Sequence, residues 1–159
     1  MFEITINKAV ENDIPQILSL LREFAEYEKL LDYLEVTEER LKAALFGENK
    51  IAEAIVAFDD ETAIGYAIFF PHFSTFRGQR GIYLEDIFIS KDFRGKGVGE
   101  MMLKYIATLA KSRGFERIDF QVLEWNAPAI RFYENLGAER NDEDRHFKLS
   151  GEAFENLAS

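Results

Sequence analysis

The chain has 159 residues, 47% of them hydrophobic and 14% aromatic, a size that allows one compact domain with one core. It contains no cysteine and only two histidines, which excludes a disulfide framework and a thiol nucleophile and leaves too few ligands for a histidine or cysteine metal cluster. The formal net charge of -10 disfavours nucleic acid as a partner, because phosphate backbones bind clustered lysine and arginine.

The start of the chain, Met1-Phe2-Glu3-Ile4-Thr5, lacks a basic segment followed by a long apolar run. No later stretch approaches the roughly 18 apolar residues that a membrane span needs. We therefore expect a cytoplasmic protein without membrane contact. No repeat, low-complexity tract or linker appears, and we predict a single domain over residues 1–159.

The first predicted element is a strand, since residues 2–6 alternate between apolar and polar side chains. A helix follows over residues 14–25, with Pro15 in its first turn and apolar residues at helical spacing. Thr37 is placed to cap a second, shorter helix that runs to Leu45.

A hairpin is predicted next, with strands over residues 52–58 and 63–70. Pro71 is expected to end or bulge the second of these strands, because proline has no amide hydrogen to donate. A glycine-containing loop over residues 76–81 leads into residues 82–89, the most continuous candidate for a buried strand.

The second half of the chain alternates helices and strands. Helices are predicted over residues 97–113 and 127–136, strands over 117–123 and 145–149, and a short helix in the tail. The order β-α-α-β-β-β-α-β-α-β predicts an α/β fold, a mixed central sheet flanked by helices.

Charge is distributed unevenly along the chain. Residues 23–39 hold seven carboxylates and the single cation Lys29, whereas residues 91–117 hold seven cations and only three acids. Each run could be a solvated helical face. The pair of runs would also suit two ligands of opposite sign, a cationic amine and an anionic cofactor.

A glycine-rich loop connects the strand that ends near Ile89 to the helix that begins near Gly97. Such a loop presents unpaired backbone N–H groups at the positive end of a helix dipole, where a phosphate binds readily. The loop also carries Arg94 and Lys96, but it lacks the Gly-Lys-Ser/Thr sequence of nucleoside-triphosphate sites. A tight turn that merely needs glycine would explain the loop equally well.

Two motifs resemble those of the GNAT acetyltransferases. Residues 94–99, Arg-Gly-Lys-Gly-Val-Gly, are similar to the Arg/Gln-x-x-Gly-x-Gly/Ala signature of that fold. Residues 125–138, from Trp-Asn-Ala-Pro to Leu-Gly-Ala, resemble its second cofactor motif. The resemblance implies the GNAT fold and acetyl-CoA as cosubstrate.

Within that fold the chain resembles the diamine acetyltransferases, which act on spermidine, spermine or thialysine. The resemblance is carried by residues 24–28, 73–78, 83–88 and 122–126 and fades after Asn141. Ser-Thr-Phe at positions 74–76 looks more like the Ser-Thr-Trp of the thialysine branch than the acidic residue of the polyamine branch. The implied substrate is a diamine, a polyamine, thialysine or a similar lysine-like amine.

The resemblance implies direct attack of the amine on the acetyl thioester, with no covalent acetyl-enzyme. We expect no metal, because two histidines and no cysteine are too few for a metal cluster. Amides near Phe88 and Ser90 would hold the pantetheine arm. The cofactor residues implied are Phe88, Ile89, Ser90, Arg94, Gly95, Lys96, Gly97, Val98, Gly99, Asn126 and Tyr133.

Tyr133 matches the family's proton donor to the departing thiolate, and Glu85 is expected to accept the amine proton, directly or through water. Asp86 is the alternative acceptor. Neighbouring residues of a strand point to opposite faces, so Glu85 and Asp86 cannot serve one pocket equally. The substrate residues implied are Glu28, Glu85, Asp86, Ser74, Thr75 and Phe76.

Two other functions fit the same sequence. One is acetylation of a protein lysine or N-terminus, because the acidic stretch over residues 23–39 would also suit a basic peptide. The other is a non-catalytic sensor that binds acetyl-CoA or a polyamine, although such a binder has no use for the Tyr133 proton donor. The family resemblance also implies a homodimer.

Overall fold

The computed structural model describes residues 3–159, so Phe2 of the predicted first strand lies outside the described residues. The described chain forms two compact units, one that ends at Gln121 and one that runs from Val122 to Ser159. The single domain over residues 1–159 stays a prediction.

The described part of the first unit contains five strands and three α-helices. In chain order these are β1 (Ile4–Lys8), α1 (Ile14–Tyr27), α2 (Glu38–Phe46), β2 (Glu53–Asp59), β3 (Thr62–Ser74), β4 (Gln79–Ile89), α3 (Val98–Ser112) and β5 (Arg117–Phe120). The second unit contains the helices α4 (Ala127–Asn135) and α5 (Gly151–Ala158). The predicted helices are thus all present.

Local sequence signals explain where the first two helices begin. Pro15 occupies the first turn of α1, where its missing amide hydrogen costs nothing. The Thr37 hydroxyl accepts a hydrogen bond from the amide of Arg40 at 3.2 Å, which confirms it as the cap of α2.

The strands form one mixed sheet in the order β1-β2-β3-β4-β5. The pairs from β1 to β4 are antiparallel, and β4 pairs with β5 in parallel, with α3 as the connection. One apolar cluster joins α1 and α2 to the sheet through Ile17, Val56 and Tyr66. A second joins α3 to the sheet through Ile55 and Ile106. The predicted mixed sheet flanked by helices is confirmed.

A β-bulge in β4 sets the direction of the side chains at the candidate site. Asp86 pairs with Ile68, but Leu84 pairs with the next residue of β3, Phe69, so Glu85 is the extra residue. Leu84 packs in the cluster that contains α3, whereas Phe88 packs in the cluster that contains α1 and α2. The bulge therefore reverses the alternation and turns Asp86 towards the α1 side.

Pro71 neither ends nor bulges β3, contrary to the sequence prediction. The strand continues to Ser74, and Pro71 pairs with Ile82. The reason lies in the neighbouring strand, because the pairing of β2 with β3 stops at Phe69. Past that residue β3 has only β4 as a partner, and a proline is tolerated on the free edge.

The predicted strand over residues 145–149 does not form, and this segment is irregular and exposed. Phe147 is 87% exposed and Leu149 63%, so the alternating pattern has no surface to bury itself against. The predicted strand from Arg117 is also shorter than expected, because its pairing with β4 ends at Phe120.

Candidate functional site

Two acidic residues, Glu28 and Asp86, lie in one electrostatic environment around Tyr66. The Tyr66 hydroxyl donates a hydrogen bond to Asp86 Oδ2 at 3.2 Å, and the Tyr66 side chain is fully buried. Burial, together with the nearby charges of Glu85 and Glu28, raises the pKa of the Asp86 carboxyl to about 6, and the hydrogen bond from Tyr66 opposes this rise. Burial also raises the pKa of Glu28, which is half-buried at the end of α1.

Glu85 differs from Asp86 in its exposure to solvent. It is exposed, whereas Asp86 is largely shielded from solvent. Its charge still reaches the cluster, because it raises the pKa of both Asp86 and Tyr66. The structure therefore brings together three of the predicted substrate residues, Glu28, Glu85 and Asp86, and distinguishes the half-buried Asp86 carboxylate from the exposed Glu85 carboxylate.

The glycine-rich loop leaves open space in front of the N-terminus of α3. Gly95 and Gly97 have φ angles of 73° and 81°, in the left-handed region that favours glycine. A Cβ built on either would meet no atom within 4 Å, so the loop surface is unobstructed. The first amides of α3 have no acceptor within the helix, which makes this a suitable cradle for phosphate oxygens.

Among the other loop residues, Arg94 and Lys96 contribute positive charge, and Val98 packs in the core. Lys96 Nζ donates to the carbonyl of Asp92 at 2.8 Å, and Arg94 Nε donates to the carbonyl of Ile89 at 2.9 Å. Both cations are exposed. The Val98 side chain is buried in the core, so this residue can contribute to a ligand site only through its backbone. Gly99 lies in the first turn of α3.

Helix α1 holds the loop at two points. Glu23 accepts hydrogen bonds from the Ser90 hydroxyl at 2.8 Å and from the Lys91 amide at 3.2 Å. One turn later, the Tyr27 ring lies under the Arg94 guanidinium at 4.5 Å from its centroid. The same helix thus carries Glu28 and fixes the segment that precedes the glycines.

The edge of β4 that faces β5 is free beyond Leu84, where the pairing with β5 ends. The Ser90 amide donates to the Ile64 carbonyl at 2.8 Å and points towards β3, so it is not available for the pantetheine arm. Successive amides of a strand alternate in direction, which directs the Ile89 amide to the free edge. Phe88 stacks on Phe24 at 5.0 Å and is buried.

Asn126 and Tyr133 belong to the second unit. The Asn126 side chain is buried and caps α4, where its Oδ1 accepts from the Ala129 amide at 3.4 Å. The Tyr133 ring meets Phe132 edge to face at 5.2 Å. Burial raises the pKa of the Tyr133 phenol to about 12, so the phenol keeps its proton at neutral pH.

The structure does not bring Ser74, Thr75 and Phe76 to the carboxylates. Ser74 ends β3, six positions beyond the residue that pairs with Asp86, a separation of roughly 20 Å at the strand rise. Thr75 is exposed in the turn, and the Phe76 side chain is fully exposed. Phe76 therefore does not lie beside Asp86 within this protomer.

The sequence analysis did not identify Glu23, Tyr27 and Tyr66 as site residues. Glu23 and Tyr27 lie one helical turn apart on the acidic helix, a spacing that places them on one face. Tyr66 is the only hydroxyl-bearing residue in the apolar run over residues 63–70. A hydroxyl in a buried strand needs a hydrogen-bond partner, and this requirement could have identified Tyr66 from the sequence.

Neither a membrane span nor a metal cluster is found within residues 3–159. None of the helices there combines the length and the apolar character needed to cross a bilayer. That range also contains no group of three or more histidine, cysteine, aspartate or glutamate side chains placed to hold a metal ion. The absence of a metal from the reaction stays a prediction.

Known proteins resemble the chain over most of its length. The profile of the Acetyltransferase (GNAT) family matches residues 14–138. A thialysine N-epsilon-acetyltransferase from Sus scrofa is 37% identical, with 99% of each chain covered. The L-ornithine N5-acetyltransferase of Arabidopsis thaliana is 26% identical over 96% of this chain and 86% of its own.

Among solved structures, an integron cassette protein from the mobile metagenome of V. cholerae superposes with a TM-score of 0.82. The two chains share 23% identity, and 99% of each is covered. An aminoglycoside acetyltransferase from an uncultured soil sample superposes with a TM-score of 0.77 at 18% identity, over 92% of this chain and 97% of its own. At these identities the likeness concerns the fold, and it confirms the fold predicted from the two sequence motifs.

Proposed function

Because the chain belongs to the Acetyltransferase (GNAT) family, we propose that it transfers the acetyl group of acetyl-CoA to the primary amine of a small cationic molecule. The single observation that carries the substrate class is the 37% identity to a thialysine N-epsilon-acetyltransferase over 99% of both chains. A diamine, a polyamine, thialysine or another lysine-like amine is the proposed acceptor.

Membership of the family implies acetyl-CoA as the acyl donor, and the residues of the loop fit it. The open surface at Gly95 and Gly97 and the amides that begin α3 form a cradle for a pyrophosphate. Arg94 and Lys96 add positive charge there, and the Ile89 amide, at the edge of β4 beyond the pairing with β5, is placed to bind a pantetheine arm. When bound, acetyl-CoA supplies an acetyl group activated as a thioester.

The reaction then needs two proton transfers by residues of this chain. An amine of pKa near 10 is protonated at neutral pH and must lose a proton before it can attack. One of the β4 carboxylates, Glu85 or Asp86, takes that proton directly or through water. Tyr133, which stays protonated, donates a proton to the departing sulfur. The family resemblance implies Asn126 as a further cofactor residue.

Charge supports a cationic substrate with a second polar end. Glu28 and Asp86 are partly or largely withdrawn from water and carry no cationic partner in any ion pair of the described residues. Buried carboxylates without a counter-ion are unfavourable, and an ammonium group between them would relieve this cost. The relatives that act on thialysine and L-ornithine take amino acids with a side-chain amine, which is the same chemical class.

A panel of amines with acetyl-CoA, read out by release of free thiol, tests the proposal. It should include thialysine, lysine, ornithine, spermidine, a short diamine, a monoamine and a basic histone-like peptide. We expect turnover on the small cationic amines and much less on the peptide. A preference for the peptide would establish a protein acetyltransferase instead. Stabilisation of the fold by acetyl-CoA without turnover on any amine would indicate a sensor.

A homodimer in the cytoplasm completes the proposal. Exposed aromatic side chains such as Phe73 and Phe76 at the end of the β3–β4 hairpin support an apolar contact surface. Ser74 and Phe76 are far from Asp86 within one protomer. In a dimer, the partner would bring a second copy of this hairpin, which supports a dimer in which the hairpin reaches the carboxylates of the other protomer. Sedimentation at micromolar concentration tests it, and a monomer there would refute it.

A further inference from the structure

We propose that Asp86, held by the hydroxyl of Tyr66, is the carboxylate that takes the proton from the substrate ammonium, and that Tyr66 is its positioning residue. This inference rests on the proposed amine acetylation. It assigns the proton acceptor to the half-buried Asp86 and not to the exposed Glu85.

The bulge in β4 is the first part of the argument. With regular alternation, Asp86 would share a face with Leu84, which packs towards α3. The extra residue Glu85 places Asp86 instead on the side of Phe88 and Tyr66, where α1 brings Glu28. An acceptor and an anionic binding residue thus face the same side of the sheet.

The chemistry of proton transfer separates the two candidates. A carboxylate accepts a proton from an amine more readily as its pKa approaches that of the amine. Burial raises the pKa of Asp86 to about 6, still low enough for the carboxylate to be ionised at neutral pH. Glu85, in contrast, is exposed to solvent, and the Tyr66 hydroxyl donates to Asp86 and not to Glu85.

Tyr66 acts on Asp86 as a fixed donor. Its side chain is fully buried, and burial together with the charge of Asp86 raises its pKa well above the ordinary value, so it stays protonated. Its hydroxyl donates to Oδ2 of Asp86, which leaves Oδ1 to meet the ammonium or a water. Of the groups that act on Asp86, Tyr66 from β3 favours the ionised form, while Glu85 from β4 and Glu28 from α1 oppose it.

The proton balance closes without a further reactant. The N–H bond of the ammonium breaks, its proton goes to Oδ1 of Asp86, and the electron pair stays on nitrogen for attack on the acetyl carbon. As the C–S bond breaks, Tyr133 gives its proton to the sulfur, and the second proton of the new amide nitrogen passes through water to the Tyr133 phenolate, which is thereby restored. One proton leaves overall, and Asp86 returns it to water.

The dependence of kcat/KM on pH, measured with a diamine, tests the assignment. For the wild-type protein we expect activity to fall below about pH 6, where Asp86 becomes protonated. Tyr66→Phe removes the donor that favours the ionised form and should move this midpoint up by about 0.5–1 pH unit, as expected for one lost hydrogen bond. Tyr83→Phe, which removes a hydroxyl from β4, the strand of Asp86, should leave the midpoint in place.

Asp86→Asn should lower kcat/KM by roughly 10²-fold or more and abolish the acidic limb, whereas Glu85→Gln should keep the limb. The opposite result for these two variants would overturn the assignment. An unmoved midpoint in a folded Tyr66→Phe protein would remove Tyr66 from the mechanism.

A direct titration of the Asp86 carboxyl by carbon NMR separates this inference from the proposed function. The titration needs no turnover, so it reports on the Tyr66–Asp86 pair even if no amine is acetylated. We expect a midpoint near 6 in the free wild-type protein. A midpoint near 4 would overturn the inference. Because this titration uses the wild-type protein, it decides the question even if the Tyr66→Phe variant does not fold.

Discussion

The carboxylate of Glu23 accepts a hydrogen bond from the Ser90 hydroxyl, with 2.8 Å between Oε1 and Oγ, and so ties α1 to the start of the glycine-rich loop. A second bond, from the Lys91 amide, ends on the same oxygen. A negative charge beside a phosphate site repels the ligand. The physical role of Glu23 is therefore to hold the loop in shape.

These two effects of Glu23 have opposite signs, and Glu23→Ala shows which one dominates. Removal of the charge alone would strengthen acetyl-CoA binding, whereas release of the loop would weaken it. We expect affinity to fall by about three- to tenfold, because an ordered loop loses less entropy on binding. Calorimetric titration with acetyl-CoA measures it. Glu26→Ala, which removes an exposed charge from the same helix, should not weaken binding, and tighter binding by Glu23→Ala would disprove the role.

Gly97 offers a test of the phosphate cradle itself. Gly97→Val places a β-branched side chain on the open surface of the loop, and we expect acetyl-CoA affinity to fall while amine binding changes little. The left-handed φ of 81° also costs about 1–2 kcal/mol of stability for any other residue.

Gly114→Val separates the two effects. Gly114 has a φ of 74° and equally open surroundings, but it follows the other end of α3. Both variants should lose similar stability in thermal unfolding, and only Gly97→Val should lose cofactor affinity. Unchanged affinity in a folded Gly97→Val protein would place the pyrophosphate elsewhere.

Tyr133→Phe tests the proton donor. We expect kcat to fall by roughly 10²-fold with both Michaelis constants nearly unchanged, because the ring is kept and one proton transfer is lost. Since the pKa of Tyr133 is about 12, its titration should not limit kcat below pH 10. Tyr105→Phe, a half-buried phenol on α3, is the control. A loss below threefold would mean that the sulfur takes its proton from water.

Much of the fold follows from local patterns, and the exceptions have physical causes. Helix α1 was predictable because its apolar spacing and Pro15 are local signals. The course of β3 through Pro71 was not, because it depends on where the pairing with β2 ends. Likewise, the alternating pattern over residues 145–149 says nothing about whether a partner strand exists.

In the candidate site, too, local features were predictable from the sequence and features that depend on distant partners were not. The glycine loop was visible because its residues are contiguous. The bond between Glu23 and Ser90 joins residues 67 positions apart, and no sequence spacing indicates it. The relation of Glu85 to Asp86 was expected from simple alternation, but the bulge decides which of the two faces α1, and a bulge is a property of the strand pair.

Glu28→Gln tests the substrate class, because it removes a charge that a second ammonium would use. Glu28 is half-buried near Asp86, and burial raises its pKa, as expected for a carboxylate without a counter-ion. A diamine keeps its distal ammonium protonated at neutral pH while the reacting amine must be neutral. The variant should therefore raise the Michaelis constant for a diamine more than for a monoamine of equal length.

A partly exposed pair of opposite charges contributes about 0.2–1 kcal/mol, so we expect a selective increase of about two- to fivefold. The affinity for acetyl-CoA should not change. Glu26→Gln is the matched control, since Glu26 lies on the same turn but is exposed, and it should affect neither amine. Equal losses on diamine and monoamine would exclude Glu28 from the substrate site, because only the diamine has a distal charge for it to bind.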